Sequence, residues 1–129
     1  MVRRFLCICA LSAAGALPVQ AQSMAPMRGT VTSFSDEFAL KVTPRNIYKH
    51  TIDMEVRVYD QDFRPVRAMV MPSQFSLGAG SVRNVVVMVP FEGQKERRVR
   101  VCAESVPFPG QQAQIRTQIC GRFLASRLQ

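Results

Sequence analysis

Few side chains in this sequence combine the type and spacing that chemistry demands. The single histidine, His50, stands in a polar stretch ahead of an apolar alternation. Nucleophilic catalysis needs a serine or cysteine with a base beside it, so His50 reads as a solvated loop residue. Asp60 and Asp62 are two carboxylates one residue apart. A calcium loop needs more oxygen ligands at defined spacing, and the pair reads as a polar turn. No glycine-rich phosphate loop occurs. Met24, Met27, Met54, Met69, Met71 and Met88 raise copper as a thought. Copper sites want methionine and histidine together, and these methionines read instead as core filling. The expectation is a protein without cofactor or metal, and not an enzyme.

Cysteine is the residue whose chemistry depends most on what surrounds it. Arg3 and Arg4 precede Phe5 to Leu17, thirteen residues without a charge, and Val19-Gln20-Ala21 follows with small residues at the two positions a signal peptidase reads. A membrane span needs roughly 18–20 apolar residues, and a buried helix of the fold would carry a polar face. Residues 1–21 therefore read as a cleaved secretory leader, and the mature chain as periplasmic or secreted with no transmembrane segment. Cys7 and Cys9 leave with the leader. That strands Cys102 and Cys120, an even pair in an exported small domain, which reads as a disulfide. Two thiols and one histidine fall short of a four-ligand zinc site.

The elements that must position these residues are strands. Ile52, Met54, Val56 and Val58 alternate with Asp53, Glu55, Arg57 and Tyr59, the pattern of a half-buried strand. Phe34, Phe38, Leu40 and Val42 share one parity, and Pro44 ends their run. Val66 to Met71 closes on Pro72, Val82 to Val89 is almost continuously apolar, and Arg97 to Val106 and Ile115 to Phe123 alternate again. A short strand near Gln74–Leu77 would be the seventh. Turn residues punctuate them, among them Pro44-Arg45-Asn46, Gly78-Ala79-Gly80 and Glu92-Gly93-Gln94. Six to seven antiparallel strands with turns at regular intervals predict an all-β, two-sheet sandwich over residues 34–124. Residues 22–33 are expected to be a flexible mature amino terminus, and 125–129 a tail.

A hairpin of the last two strands centred near Gln111 would oppose residues whose numbers sum to about 222. Cys102 then faces Cys120, Ala103 faces Ile119, and Val99 faces Phe123. Apolar meets apolar while the cysteines share the polar face, at the Cβ spacing a disulfide needs. The same register sets Arg100 against Arg122, with Arg98 and Arg116 on that face. Opposed like charges destabilise a sheet. Either the long side chains splay into solvent or pair with Glu104 or Glu96, or an anion compensates them.

Pro72-Ser73-Gln74-Phe75-Ser76-Leu77 followed by Gly80-Ser81-Val82-Arg83-Asn84-Val85 resembles the amino-terminal immunoglobulin-like domain of periplasmic pilus chaperones. Ile52 to Asp60 is similar to their second strand and Arg100 to Pro107 to their sixth, so the likeness spans residues 34–107. It implies a single immunoglobulin-like β-sandwich. Those chaperones have two such domains. They hold a subunit's terminal carboxylate with an arginine on the first strand and a lysine in the interdomain cleft. Read from Phe34, the first strand here offers only Lys41, at no matching position.

Of 17 lysines and arginines, two leave with the leader, so 15 face nine acids and the mature charge is +6. An exported basic chain meets anionic surfaces or acidic proteins rather than nucleic acid. Two functions follow. The first is a non-enzymatic binding or assembly module that recognises a protein partner, by adding a strand at a sheet edge. The second is a surface-adhering protein that takes an anionic glycan or lipid headgroup on Arg98, Arg100, Arg116 and Arg122.

Overall fold

The computed structural model describes residues 15, 24–108, 110, 112 and 116–128. The leader expected at residues 1–21 therefore lies, but for Gly15, outside the described residues. Nine strands run β1 (Met24–Ala25), β2 (Arg28–Ser33), β3 (Glu37–Pro44), β4 (Ile52–Tyr59), β5 (Met69–Met71), β6 (Gln74–Leu77), β7 (Val85–Pro90), β8 (Glu96–Ser105) and β9 (Thr117–Arg127). They form a four-stranded sheet ordered β1-β3-β7-β5 and a five-stranded sheet ordered β2-β9-β8-β4-β6. Among the described residues there is no helix long and apolar enough to cross a membrane.

Strand alternation decides what lies between the sheets. Phe38, Leu40 and Val42 of β3, Val85, Val87 and Val89 of β7, Ile52, Met54, Val56 and Val58 of β4, and Val99 and Val101 of β8 are all buried. Each fully buried valine or phenylalanine contributes roughly 1.5–3 kcal/mol by leaving water. Phe38 and Phe91 meet at 5.0 Å between ring centroids and fill one end. Asn46 is the buried polar hub at the other end. Its side-chain amide donates to the carbonyls of His50, Leu77 and Gly78, and its Oδ1 accepts the Tyr48 amide. Every donor and acceptor is met, which removes the penalty of burying it.

The chain changes sheet at every connection but the last, β8 to β9, and two of these crossings join edge strands at opposite flanks. The chain leaves the four-stranded sheet at β1 and enters the five-stranded one at β2 (through Pro26), and it repeats the move from β5 to β6 (through Pro72).

Several expectations need correcting. Of the stretch 22–33, the described residues from Met24 on are not a loose lead-in: β1 pairs with β3, and β2 runs parallel to β9 from Arg28↔Arg122 to Ser33↔Arg127. The strand β2 escapes a pattern search because Arg-Gly-Thr-Val-Thr-Ser has little to bury at a sheet edge. Within the expected tail, residues 125–127 are strand too, with Ala125 fully buried. Phe34 is no core residue. It is 78% exposed in a serine-rich turn, where the Ser33 and Ser35 hydroxyls donate to the Glu37 carbonyl. Val82 makes only an isolated bridge to Arg45 and β7 starts at Val85, while the run from Val66 narrows to the three residues of β5. The parallel β2–β9 pair is the one departure from an all-antiparallel sandwich.

Candidate functional site

The β8–β9 hairpin has the register that its sequence predicts. Cys102↔Cys120, Ala103↔Ile119, Arg100↔Arg122 and Val99↔Phe123 are all paired. The Cys102–Cys120 bond closes the hairpin with the two Cα atoms 4.0 Å apart. Cys102 is fully buried despite lying on the outward parity.

Around this hairpin the arginines separate into two sites. Arg98, Arg100 and Arg122 line a cleft of about 440 Å³ together with Arg28, Gly29 and Thr30 of β2 and Gln61. No carboxylate lines it. Arg28, which the sequence reading passed over, stands beside Arg122 on the adjacent parallel strand. Arg116 belongs elsewhere. It lies ahead of β9, some six residues or about 20 Å of strand from Arg122, and its guanidinium is 3.9 Å from Glu104.

Phe63 packs against Arg100, one of the residues that line the cleft. It is held at a φ of 59°, a left-handed conformation that bulky residues rarely adopt. Asp60 makes that turn possible, accepting the amides of Asp62 and Arg64 on Oδ1. Asp60 is thus a turn brace. The Phe63 ring carries the Arg100 guanidinium 4.4 Å from its centroid. Arg100 Nε is buried there without a hydrogen-bond partner. A buried unsatisfied donor on a charged group is expensive, and here it faces a cleft lined only by cations and neutral groups. The only strained non-glycine backbone besides Glu92 among the described residues therefore sits under the arginine that lacks a partner.

Immediately before this cleft β9 has an open edge. The parallel partner β2 begins at Arg28, so Thr117 to Gly121 have β8 on one side and no described strand on the other. The Arg122 amide donates outward to the Met27 carbonyl at 2.9 Å, while that of Arg127 turns to Lys95 on the β8 side. Parity then turns the backbone groups of Gln118 and Cys120 toward the open side. Gly121 lets the edge close at its end. A Cβ there would lie 2.9 Å from Phe123 Cε2 and 3.2 Å from the Met27 carbonyl.

A second polar cluster covers β4 and β8. The Tyr59 hydroxyl and the Gln118 amide both donate to Glu104 Oε1, at 2.8 and 2.9 Å. Burial, then the Glu104 carboxylate, pushes the Tyr59 hydroxyl above its ordinary pKa. Glu55 is held below the usual carboxylate range by the Arg57 hydrogen bond at 2.8 Å. His50 turns its Nε2 to the Pro107 carbonyl and stacks among Tyr48 and Phe108. Among the described residues no three His, Cys, Asp or Glu come together as a metal site. Met24 and Met54 are core residues as expected, but Met69 and Met71 are not: they are 58% and 51% exposed.

No family model matches the sequence, and no curated protein matches it at the level of sequence. Similarity appears in structure. The Escherichia coli chaperone DraB superposes with a TM-score of 0.65 at 16% identity, over 81% of this chain and 54% of that one. The fold is the PapD-like immunoglobulin sandwich. The structure of the Salmonella enterica SafA pilin in complex with the SafB chaperone gives a TM-score of 0.64 at 19% identity, over 81% of this chain and 53% of that one. The chain thus spans about half the length of these chaperones. The PapD-like domain 7 of human CEP192 matches end to end, over 97% of this chain and 98% of that one, with a TM-score of 0.59 at 10% identity. The resemblance read in residues 34–107 holds for the fold, and β1, β2 and β9 extend it to most of the described chain.

Proposed function

We propose that this chain is an exported, non-enzymatic binding module that takes an extended segment of a protein partner along β9, the segment ending at the arginine cleft. The open edge from Thr117 to Gly121, which runs directly into Arg122 and Arg28, carries this reading. A segment laid parallel to β9 would satisfy the outward groups of Gln118 and Cys120. It would stop where β2 takes over the same ladder. Its terminal carboxylate would then reach guanidiniums on β2 and β9, and arginine's planar fork suits a carboxylate. In the pilus chaperones that the sequence resembles, an arginine of the first strand and a lysine hold a subunit's terminal carboxylate. Arg28 on β2 and Arg122 on β9 offer two cations in that role, where Lys41 offers none. Two solved neighbours are a chaperone with a pilin and a chaperone with a tip adhesion subunit.

The cleft also supports the second reading, an anionic glycan or lipid headgroup. Its four arginines without an acid, and the unpartnered Arg100 Nε, favour an anion whatever its carrier.

Capture from an envelope extract at low and high salt separates the two. The baits are the wild-type chain, Gln118→Pro, and Arg28→Ala with Arg122→Ala. Proline at 118 removes an outward N–H that β8 does not use, so the fold survives while strand addition is blocked. The expected result is a protein captured by wild type at both salts, lost with Gln118→Pro and weakened by the arginine pair. Capture that collapses in high salt and ignores Gln118→Pro would overturn strand addition in favour of the anionic surface.

A further inference from the structure

The outer face of the four-stranded sheet holds a feature that neither reading uses. Val85, Val87 and Val89 of β7 point into the core, so Val86 and Met88 point out. On β5, Val70 turns inward and Met69 and Met71 outward. Met69 is paired directly with Met88, and Met71 with Val86. Where the two strands pair, three of the four outward residues are therefore methionines, one pair directly opposed and the third two residues along the same edge strand. Directly opposed Cβ atoms lie about 4.5–5.5 Å apart and diagonal ones about 7–8 Å or less. Three rotatable bonds per side chain carry the sulfurs of such a triangle onto one point.

Packing does not account for this choice. Met24 and Met54 serve the core, but Met69 and Met71 are more than half exposed and support no buried neighbour on that face. The rest of the face is spare and nearly uncharged. Ala39 lies opposite Met88, Lys41 opposite Val86, and Glu37 stands at the far end against Pro90. Hard cations such as calcium or magnesium want oxygen ligands, and Lys41 repels divalent ions first. A soft monovalent ion loses less to that charge and gains three neutral thioethers, donors that select Cu(I). Thioethers also suit an oxidising compartment, where paired thiols close into disulfides as Cys102 and Cys120 do.

We infer that Met69, Met71 and Met88 form a trigonal thioether site for a soft monovalent metal ion, Cu(I) in biological use, on the sheet opposite the arginine cleft. The site binds the ion in the state in which it arrives and involves no electron transfer.

The test uses the whole mature chain carrying ¹³C-methyl methionine, with Ag(I) as a redox-inert probe and Cu(I) measured against a chromophoric Cu(I) chelator. The expected result is one equivalent bound with the Met69, Met71 and Met88 methyl resonances moving together, while Met24 and Met54 stay still. Each single change to leucine should weaken Cu(I) binding about tenfold or more, at least what loss of an outer-shell partner costs a metal site. Melting curves of the leucine variants confirm that they are folded. Absence of binding, binding that persists in the Met69→Leu/Met71→Leu/Met88→Leu variant, or equal displacement by Zn(II) would overturn the site.

Discussion

The two sheets contribute the same thing inward and opposite things outward. Inside, β7 and β8 present valines that could be exchanged with little consequence beyond volume. Outside, the five-stranded sheet carries Arg98, Arg100, Arg122, Glu55, Arg57 and Glu104, braced by a disulfide and ion pairs. The four-stranded sheet carries Met69, Met71, Val86 and Met88 and almost no charge. A strand has only two parities, and here one is committed to the core. Whatever distinguishes this domain from other sandwiches must be written on the other.

The largest test of that division compares methionines of the two parities. Met54→Ala should cost about 2–5 kcal/mol, as core truncations do, and Met69→Ala no more than about 0.5 kcal/mol, both read from denaturant unfolding. A comparable loss at Met69 would mean that its face is covered in the native protein. Next comes the disulfide. Cys102→Ser with Cys120→Ser opens a loop closed over 18 residues of chain, and should lower stability by about 3 kcal/mol in the chain-entropy account. The far-UV spectrum should remain that of a β protein, and two reactive thiols in the unreduced native protein would refute the pairing.

Smaller still is the stability effect of Arg100→Ala with Arg122→Ala. Removing an opposed like-charge pair gains roughly 0.2–1 kcal/mol, and losing Arg100 over Phe63 costs roughly 0.5–1 kcal/mol. The melting curve should hardly move, while affinity for an anionic partner falls by roughly 1–3 kcal/mol per buried contact. Lost stability with unchanged binding would make these arginines structural. The smallest effect is in pH. The lowered Glu55 pKa adds stability above the ordinary carboxylate range that disappears as pH falls through the lowered value. The raised Tyr59 pKa adds stability that is present below a tyrosine's usual value and lost as pH rises through the raised one. Glu55→Gln should flatten the acid limb of a urea-midpoint profile and Tyr59→Phe the alkaline limb.

The hairpin was legible from sequence because two independent signals, alternation and a cysteine pair, agreed on one register. Arg98, Arg100 and Arg122 came with it. Arg116 did not, since parity says which face a residue occupies and not how far along the strand its neighbours lie. Arg28 was invisible for another reason. Its strand is an edge with a weak apolar pattern, and its partner is almost a hundred residues away in parallel register. Methionine misled in the opposite direction. As an apolar residue in a strand it reads as core on either parity, and only the sheet pairing puts Met69 and Met71 in water. Asn46 looked like a turn residue, and two of its four side-chain hydrogen bonds go to carbonyls more than thirty positions on.

The chain crosses between the sheets at both flanks, β1 to β2 and β5 to β6, so each layer is sewn to the other by continuous backbone. Sliding one layer over the other would stretch covalent chain at two opposite seams at once. The sandwich is therefore braced against shear at both flanks, and a pull applied at β9 would pass through β2 to β1 in the other sheet. Load carried across a seam is what separates a clamp from a sticky surface.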